Sequence, residues 1–237
     1  MTWNLPPPPG FQGLREDLPV TGYYRHLPHW RQKGATYFVT FRQADSLPQS
    51  KLRELADLRR RWEGELGIAD CEKVARLPSA HRSEALEILS RRIIQKVENW
   101  LDQGMGSCVL RREALRTEVT DALRFLDGSR YELGAYVVMP NHVHAIVRPL
   151  EPDCDALETS LQSRKRHTAR RINRLLAQIG TFWQEESFDR IVRDEEHLWR
   201  CIQYIGRNPR LAGLTAEEYS RWVQPRWRDL GWRFEDE

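Results

Sequence analysis

Residues 131–148 read YELGAYVVMPNHVHAIVR, and this stretch decides what kind of sheet the chain can build. Tyr131 to Met139 is rich in β-branched and aromatic residues and reads as a strand. Pro140-Asn141 breaks it, because proline has no N–H to give to a ladder. His142 to Arg148 then resumes as a second strand. Two such runs about a short turn predict a β-hairpin. Alternation along the second run puts His142 and His144 on one face and Val143 on the other.

Working outward, TYFVTFR (36–42) reads as a strand and Phe188 to Arg193 as a short one. Pro48 opens a helix whose apolar stripe is Leu52, Leu55, Leu58, Trp62 and Leu66, with Gly67 as its stop. Residues 68–82 read as a connector. Leu86, Leu89, Ile93, Val97 and Trp100 mark a second helix, ended by Gly104 and Gly106. A third runs from Arg111 to Leu126, before the turn DGSR (127–130). A fourth is expected over 157–179, with Leu161, Thr168, Ile172, Leu175 and Ile179 inward and Gly180 as its cap. Asp194 is a good N-cap for a last helix reaching about Arg207, with Pro209 just beyond. This order predicts an α+β chain with a ferredoxin-like (split βαβ) antiparallel sheet, and residues 43–107 as a helical insertion. Residues 1–30, with Pro6 to Pro9, read as an N-terminal arm that docks on the body or on a ligand. Residues 31–214 read as the main domain and 215–237 as a tail. In that tail Trp222, Trp227 and Trp232 recur every five residues, a spacing that suits neither helix nor strand.

Of the 237 residues, 40% are hydrophobic and 30% charged, enough for a real core under a well-solvated surface. The net charge of +3 says little about partners, but its local distribution says more. Between Ser163 and Arg174 the chain carries Arg164, Lys165, Arg166, Arg170, Arg171 and Arg174 without an acid. A single-sign stretch in a balanced protein points to a polyanion, and otherwise to a solvated helix face. Cys71, Cys108, Cys154 and Cys201 form no CxxC pair, so neither a zinc knuckle nor a disulfide framework is indicated. The start, MTWNLPPPPG, lacks the pattern of a signal peptide, and no stretch is apolar enough to span a membrane. The expectation is a cytoplasmic protein.

Two constellations carry chemistry. His142 and His144 can converge on one ion, but two ligands do not close a metal site, and a third must come from elsewhere. Tyr204 and Asn208 are four residues apart on the last helix and project together, at the edge of the Leu198, Ile202 and Ile205 stripe. Taken singly, such a tyrosine is ordinarily a core-rim residue. His197, about 10 Å further back along the helix, reads as structural or surface.

Together these motifs resemble a known family. YVVMPNHVHAIVRP (136–149) carries two histidines around a hydrophobic residue, and FWQEESFDRIVRDEEHLWRCIQYIGRNPRLAGL (182–214) carries the pattern YIxxNPxxAGL. In this order they resemble the HUH single-tyrosine transposases, most closely the REP-associated tyrosine transposases. HLPHWRQKGATYFVTFR (26–42) is similar to that family's opening strand and SLQSRKRHTARRIN (160–173) to its DNA-facing helix. The resemblance covers about residues 26–42 and 108–214. It implies an HUH endonuclease fold with Tyr204 as nucleophile and with His142, His144 and Asn208 holding a divalent ion, Mg²⁺ or Mn²⁺. Insertion-sequence relatives often have Gln where Asn208 stands. It also implies nicking and rejoining of single-stranded DNA through a 5′-phosphotyrosine, on short hairpins with a flanking tetranucleotide, by a monomer in preference to the dimer, with an exchanged tyrosine helix, that some relatives form.

The cationic stretch makes Arg164, Lys165, Arg166, Arg170 and Arg171 candidates for DNA-backbone contacts. Trp183 is a candidate for base stacking, with core packing as its ordinary role. Two other readings fit the same residues. One is a DNA-hairpin-binding protein without catalysis. The other is a metallohydrolase that uses water in place of Tyr204.

Overall fold

The computed structural model describes residues 4–24, 28–68, 79–150 and 156–237. Among the described residues, seven strands form two sheets: β1 (Thr21–Tyr24), β2 (Pro28–Arg31), β3 (Tyr37–Arg42), β4 (Tyr131–Val138), β5 (His142–Pro149), β6 (Phe188–Ile191) and β7 (Ser220–Val223). The α-helices described are α1 (Gln49–Glu65), α2 (Ser79–Leu101), α3 (Glu113–Phe125), α4 (Ala156–Leu175), α5 (Glu195–Leu211) and α6 (Pro225–Asp229). β1 and β2 pair as a separate ribbon, and the other five strands form one antiparallel sheet in the order β6-β3-β5-β4-β7. The protein is therefore α+β. The expected connector over 68–82 lies mostly outside the described residues, as do Trp3, Cys71 and Cys154.

The sheet divides the core into two layers because its strands alternate. Tyr37, Val39 and Phe41 of β3, with Val143, Ala145 and Val147 of β5, face α3 and α4. Phe38 and Ile146 face the other way, toward α5 and the C-terminal segment. In β4 the register shifts between Leu133 and Ala135. That bulge keeps both Leu133 and Tyr136 on the α3/α4 side. It also lays Gly134 against the Trp227 indole, where no side chain would fit. A third apolar cluster joins α1 to α2 through Leu89, Ile93, Val97, Trp100 and Leu101.

Two helix ends differ from the periodicity. α4 stops at Leu175, and Leu175 is 56% and Ile179 99% exposed rather than inward. Ala177 turns left-handed at φ 50°, and Asn173 Nδ2 donates to the Gly180 carbonyl at 2.8 Å, which closes the chain off the helix axis. Apolar spacing could not reveal that the helix has no sheet to cover beyond that point. α5, in contrast, runs through Pro209 to Leu211. Proline removes one donor in the last turn, and burial of the apolar Ile205 and Pro209 offsets that loss.

The Trp spacing of five in the C-terminal segment has a simple cause. Trp222 sits on β7, Trp227 on α6 and Trp232 in the loop after it, so three elements each aim one indole at the body. The Nε1 atoms of Trp227 and Trp232 donate to the carbonyls of Pro9 and Pro6 at 2.9 and 2.8 Å. The proline arm thus lies on the C-terminal segment, with Leu5 and Phe11 packed against the same apolar cluster. No described helix is long and apolar enough to cross a membrane.

Candidate active site

The hairpin positions the histidine pair. Met139 N–H donates to the His142 carbonyl at 2.9 Å across the Pro140-Asn141 turn, so β5 begins at His142. His142 and His144 point toward α5, and their Nε2 atoms are 3.0 Å apart. That is the spacing of two neighbouring ligands around an ion about 2.1 Å from each. The outer ring nitrogens are both held. Asn141 Nδ2 donates to the carbonyls of Leu101 and Met105 at 3.3 and 2.9 Å, which leaves Asn141 Oδ1 to accept from His142 Nδ1 at 2.7 Å. The proton of His142 therefore sits on Nδ1, and Nε2 offers a lone pair. His144 Nδ1 lies 2.7 Å from Thr40 Oγ1. Both rings are fully buried, and burial lowers the pKa of His142 to about 3 and that of His144 well below its ordinary value. Both are neutral at pH 7, the state in which imidazole ligates a cation. Phe38 stacks on His144 at 5.4 Å, and the Tyr204 ring meets His144 edge-on at 5.1 Å.

α5 supplies the other two expected residues. Asp194 caps it by accepting from His197 N–H at 2.7 Å, and Leu198, Cys201, Ile202 and Ile205 pack it on the sheet. Tyr204 and Asn208 then project side by side. Asn208 is completely buried, yet neither its Oδ1 nor its Nδ2 has a hydrogen-bond partner among the described residues. The Tyr204 hydroxyl is buried and unpartnered too. Each unmet buried group costs about 1–3 kcal/mol, so several in one place point to a ligand that completes them. No three His, Cys, Asp or Glu side chains among the described residues could hold a metal ion by themselves. The Asn208 amide, which interacts with the His142 ring, is the group suited to extend the pair.

The sequence reading overlooked two acids here. Glu98 on α2 faces Tyr204, and Asp102, just past the end of that helix, faces Asn208. Burial raises Glu98 to about 7 and Asp102 to about 6. Burial, with the negative charge of both acids, pushes the Tyr204 phenol well above its ordinary value, so the resting hydroxyl keeps its proton. The available signal was the four-residue spacing of Glu98 and Asp102 beside the Val97 and Leu101 stripe.

His197 lies on the same helix but serves its start, where Nδ1 accepts from Arg193 N–H at 3.1 Å. Elsewhere, a buried ionic cluster ties β2 to β6. His29 meets Asp189 at 2.6 Å and Glu186 at 2.9 Å, and Arg31 pairs with Asp189 and Glu158. Burial opposes the charge on His29, but the two carboxylates outweigh it and lift its pKa to about 9 from 6.5. The folded state thus binds a proton that the unfolded chain releases above 6.5. This contribution is fully present below pH 6.5 and lost as pH rises through 9. Urea unfolding at pH 6 and pH 10 should differ by on the order of 2–3 kcal/mol from this group, and the difference should shrink in His29→Gln. An unchanged difference in the variant would show that His29 is not its source.

The cationic stretch is only partly what it promised. Arg166 and Arg170 are exposed on α4, and Arg164 lies 5.7 Å over the ring of the exposed Phe125. Arg171 is held by Glu118 through two bonds of 2.8 Å. Lys165 corrects the expectation of a surface contact. It is buried, donates to the Glu185 carbonyl at 2.6 Å and to Ser187 Oγ at 3.2 Å, and burial lowers its pKa to about 8. Trp183 corrects the expectation of a base stacker. It lies 3% exposed between Phe41 and Phe182 and donates to Thr168 Oγ1 at 2.9 Å. Its neighbour Gln184 bonds to the end of β3, where its N–H donates to the Arg42 carbonyl at 2.9 Å. The structure brings His142, His144, Tyr204 and Asn208 together. It sets α4 on the opposite face of the sheet from them.

No protein-family model and no curated protein matches the chain. Among solved structures it is similar to one described as "Structure of the REP associates tyrosine transposase bound to a REP hairpin". The two are 17% identical over 82% of this chain and 76% of that one, with a TM-score of 0.39. At that distance the functional reading rests on the side chains of this chain.

Proposed function

We propose that this protein nicks and rejoins single-stranded DNA, with Tyr204 as the attacking group. The observation that carries the reading is the gathering of a neutral, converging histidine pair, an unpartnered Asn208 amide and an unpartnered Tyr204 hydroxyl in one buried pocket. His142 Nε2, His144 Nε2 and Asn208 Oδ1 would hold a divalent ion, Mg²⁺ or Mn²⁺, which when bound would polarise the scissile phosphate.

The chain's own residues do the rest. The Tyr204 ring packs edge-on against both rings of the stacked Phe38–His144 pair, which restricts the approach of its oxygen to the phosphate. The phenolic oxygen forms a bond to phosphorus as the bond to the 3′ oxygen breaks, which leaves a 5′-phosphotyrosine and a free 3′-hydroxyl. The ester keeps the energy of the broken bond, and a 3′-hydroxyl can attack it to rejoin a strand. The strand order β6-β3-β5-β4, with α3 and α4 on one face, is that of a split βαβ plan and supports the HUH-type reading. The resemblance in the MPNHVH and YIxxNP motifs favours REP-type hairpins in the cytoplasm.

DNA held by α4 must pass round the sheet to reach Tyr204. Arg166 and Arg170 are the exposed cations suited to hold the backbone there. Replacing both with Ala should weaken hairpin binding and flatten the plot of log affinity against log salt by about 1–2 units of slope. An unchanged slope would remove α4 from the binding surface.

The direct test is covalent trapping. Labelled single-stranded hairpin oligonucleotides are mixed with the protein and Mg²⁺ or Mn²⁺, and run on denaturing gels. A cation-dependent protein–DNA adduct is expected. Tight binding without adduct would favour a hairpin-binding protein, and nicking without adduct would favour water as the nucleophile.

A further inference from the structure

The inserted hairpin of α1 and α2 is more than a cover for the sheet. We propose that Glu98, on α2, is the proton acceptor for the Tyr204 hydroxyl, and so a catalytic residue contributed by the insertion. The inference deepens the reading of Tyr204 as nucleophile and rests on it.

Three observations support the assignment. Glu98 Oε1 and the Tyr204 hydroxyl are both buried, face one another, and close no hydrogen bond of ordinary geometry with any described group. Asn208, wholly buried and unpartnered in the same pocket, marks this as a place built for a ligand and not merely two acids on a helix. Arg190, on β6, places a positive charge near Glu98 and over the Phe38 ring at 4.8 Å, which favours a carboxylate at that point. Asp102 is the less suitable acceptor, because it faces Asn208.

The chemistry requires an acceptor. A phenol is a weak nucleophile until its proton leaves. A carboxylate that burial has made a better base is matched to the task. In the nicking step the O–H proton of Tyr204 moves to Glu98 Oε1, and the freed electron pair forms the O–P bond. The P–O3′ bond breaks, and the departing 3′ oxygen takes a proton from solvent water. In rejoining, the attacking 3′-hydroxyl gives its proton to water, and the leaving Tyr204 oxygen recovers one from Glu98.

The test compares adduct formation by the wild type, Glu98→Gln and Glu98→Asp on one hairpin with Mn²⁺. Hairpin affinity and thermal unfolding are measured in parallel. Glu98→Gln is expected to slow adduct formation about 10²–10⁴-fold with binding unchanged, and Glu98→Asp to recover part of the rate. A structural role would not respond to phenol acidity, so Tyr204 is also replaced by 3,5-difluorotyrosine, whose phenol loses its proton more readily. That replacement should speed Glu98→Gln far more than the wild type. A Glu98→Gln rate equal to wild type, or an equal difluorotyrosine effect in both backgrounds, overturns the assignment and leaves Tyr204 as nucleophile. Absence of adduct in the wild type itself overturns the nucleophile reading, and this inference with it.

Discussion

Tyr204→Phe should abolish the covalent adduct, by at least about 10⁴-fold, while hairpin affinity stays at the wild-type value. The substitution removes one oxygen and nothing else from the pocket. Packing against Phe38 and His144 involves the ring, which phenylalanine keeps. An additional sign is expected in stability. The hydroxyl is buried without a partner, so removing it relieves an unmet group, and the variant should unfold at higher urea, by about 1 kcal/mol. Loss of activity with gained stability is what a catalytic group produces, because such a group is held in a state that suits the reaction and not the fold. Substantial adduct from Tyr204→Phe would sink the nucleophile assignment. Loss of both activity and stability would return Tyr204 to the core rim.

His144→Ala should remove cation dependence together with activity. The ring supplies one of the two Nε2 atoms that converge at 3.0 Å. Losing it leaves one imidazole and an amide, a set too weak to hold Mn²⁺ or Mg²⁺ at ordinary concentrations. The measurement is calorimetric titration of Mn²⁺ into the free protein, beside the adduct assay. No saturable binding and no adduct are expected for His144→Ala. Thr40→Val offers a graded companion. It removes the oxygen that holds His144 Nδ1 at 2.7 Å, and loss of such an outer partner typically costs 10–100-fold in metal affinity or activity. Wild-type Mn²⁺ binding in His144→Ala would show that the cation sits elsewhere.

Both expectations concern residues that the amino-acid sequence alone makes legible, and the Glu98 proposal does not. The difference lies in the range over which each pattern acts. His142 and His144 are two apart on a strand, and Tyr204 and Asn208 four apart on a helix, so local geometry alone puts each pair on one face. Glu98 lies 106 positions before Tyr204, and only the folded arrangement of α2, β6 and α5 makes them neighbours. Lys165 and Trp183 show the same limit from the other side. Their types suit DNA, but which face of α4 meets β6, and what stacks behind Phe41, are consequences of packing.

By itself the sequence determined the hairpin, the antiparallel α+β class, the N-cap at Asp194 and that His142 and His144, and Tyr204 and Asn208, each share a face. These follow from period-two and period-3.6 patterns and from turn chemistry, all of which act within a few residues. Tertiary structure decided that the two pairs face one another across β5 and α5. It also decided where α4 and α5 end and that two tryptophans, Trp227 and Trp232, hold the arm onto the body. It set the basic helix behind the sheet and brought two acids, Glu98 of α2 and Asp102 just past its end, beside Tyr204 and Asn208. Burial and long-range contact set these features, and no local pattern in the chain encodes how far the covering layer extends or which distant side chain will fill a gap.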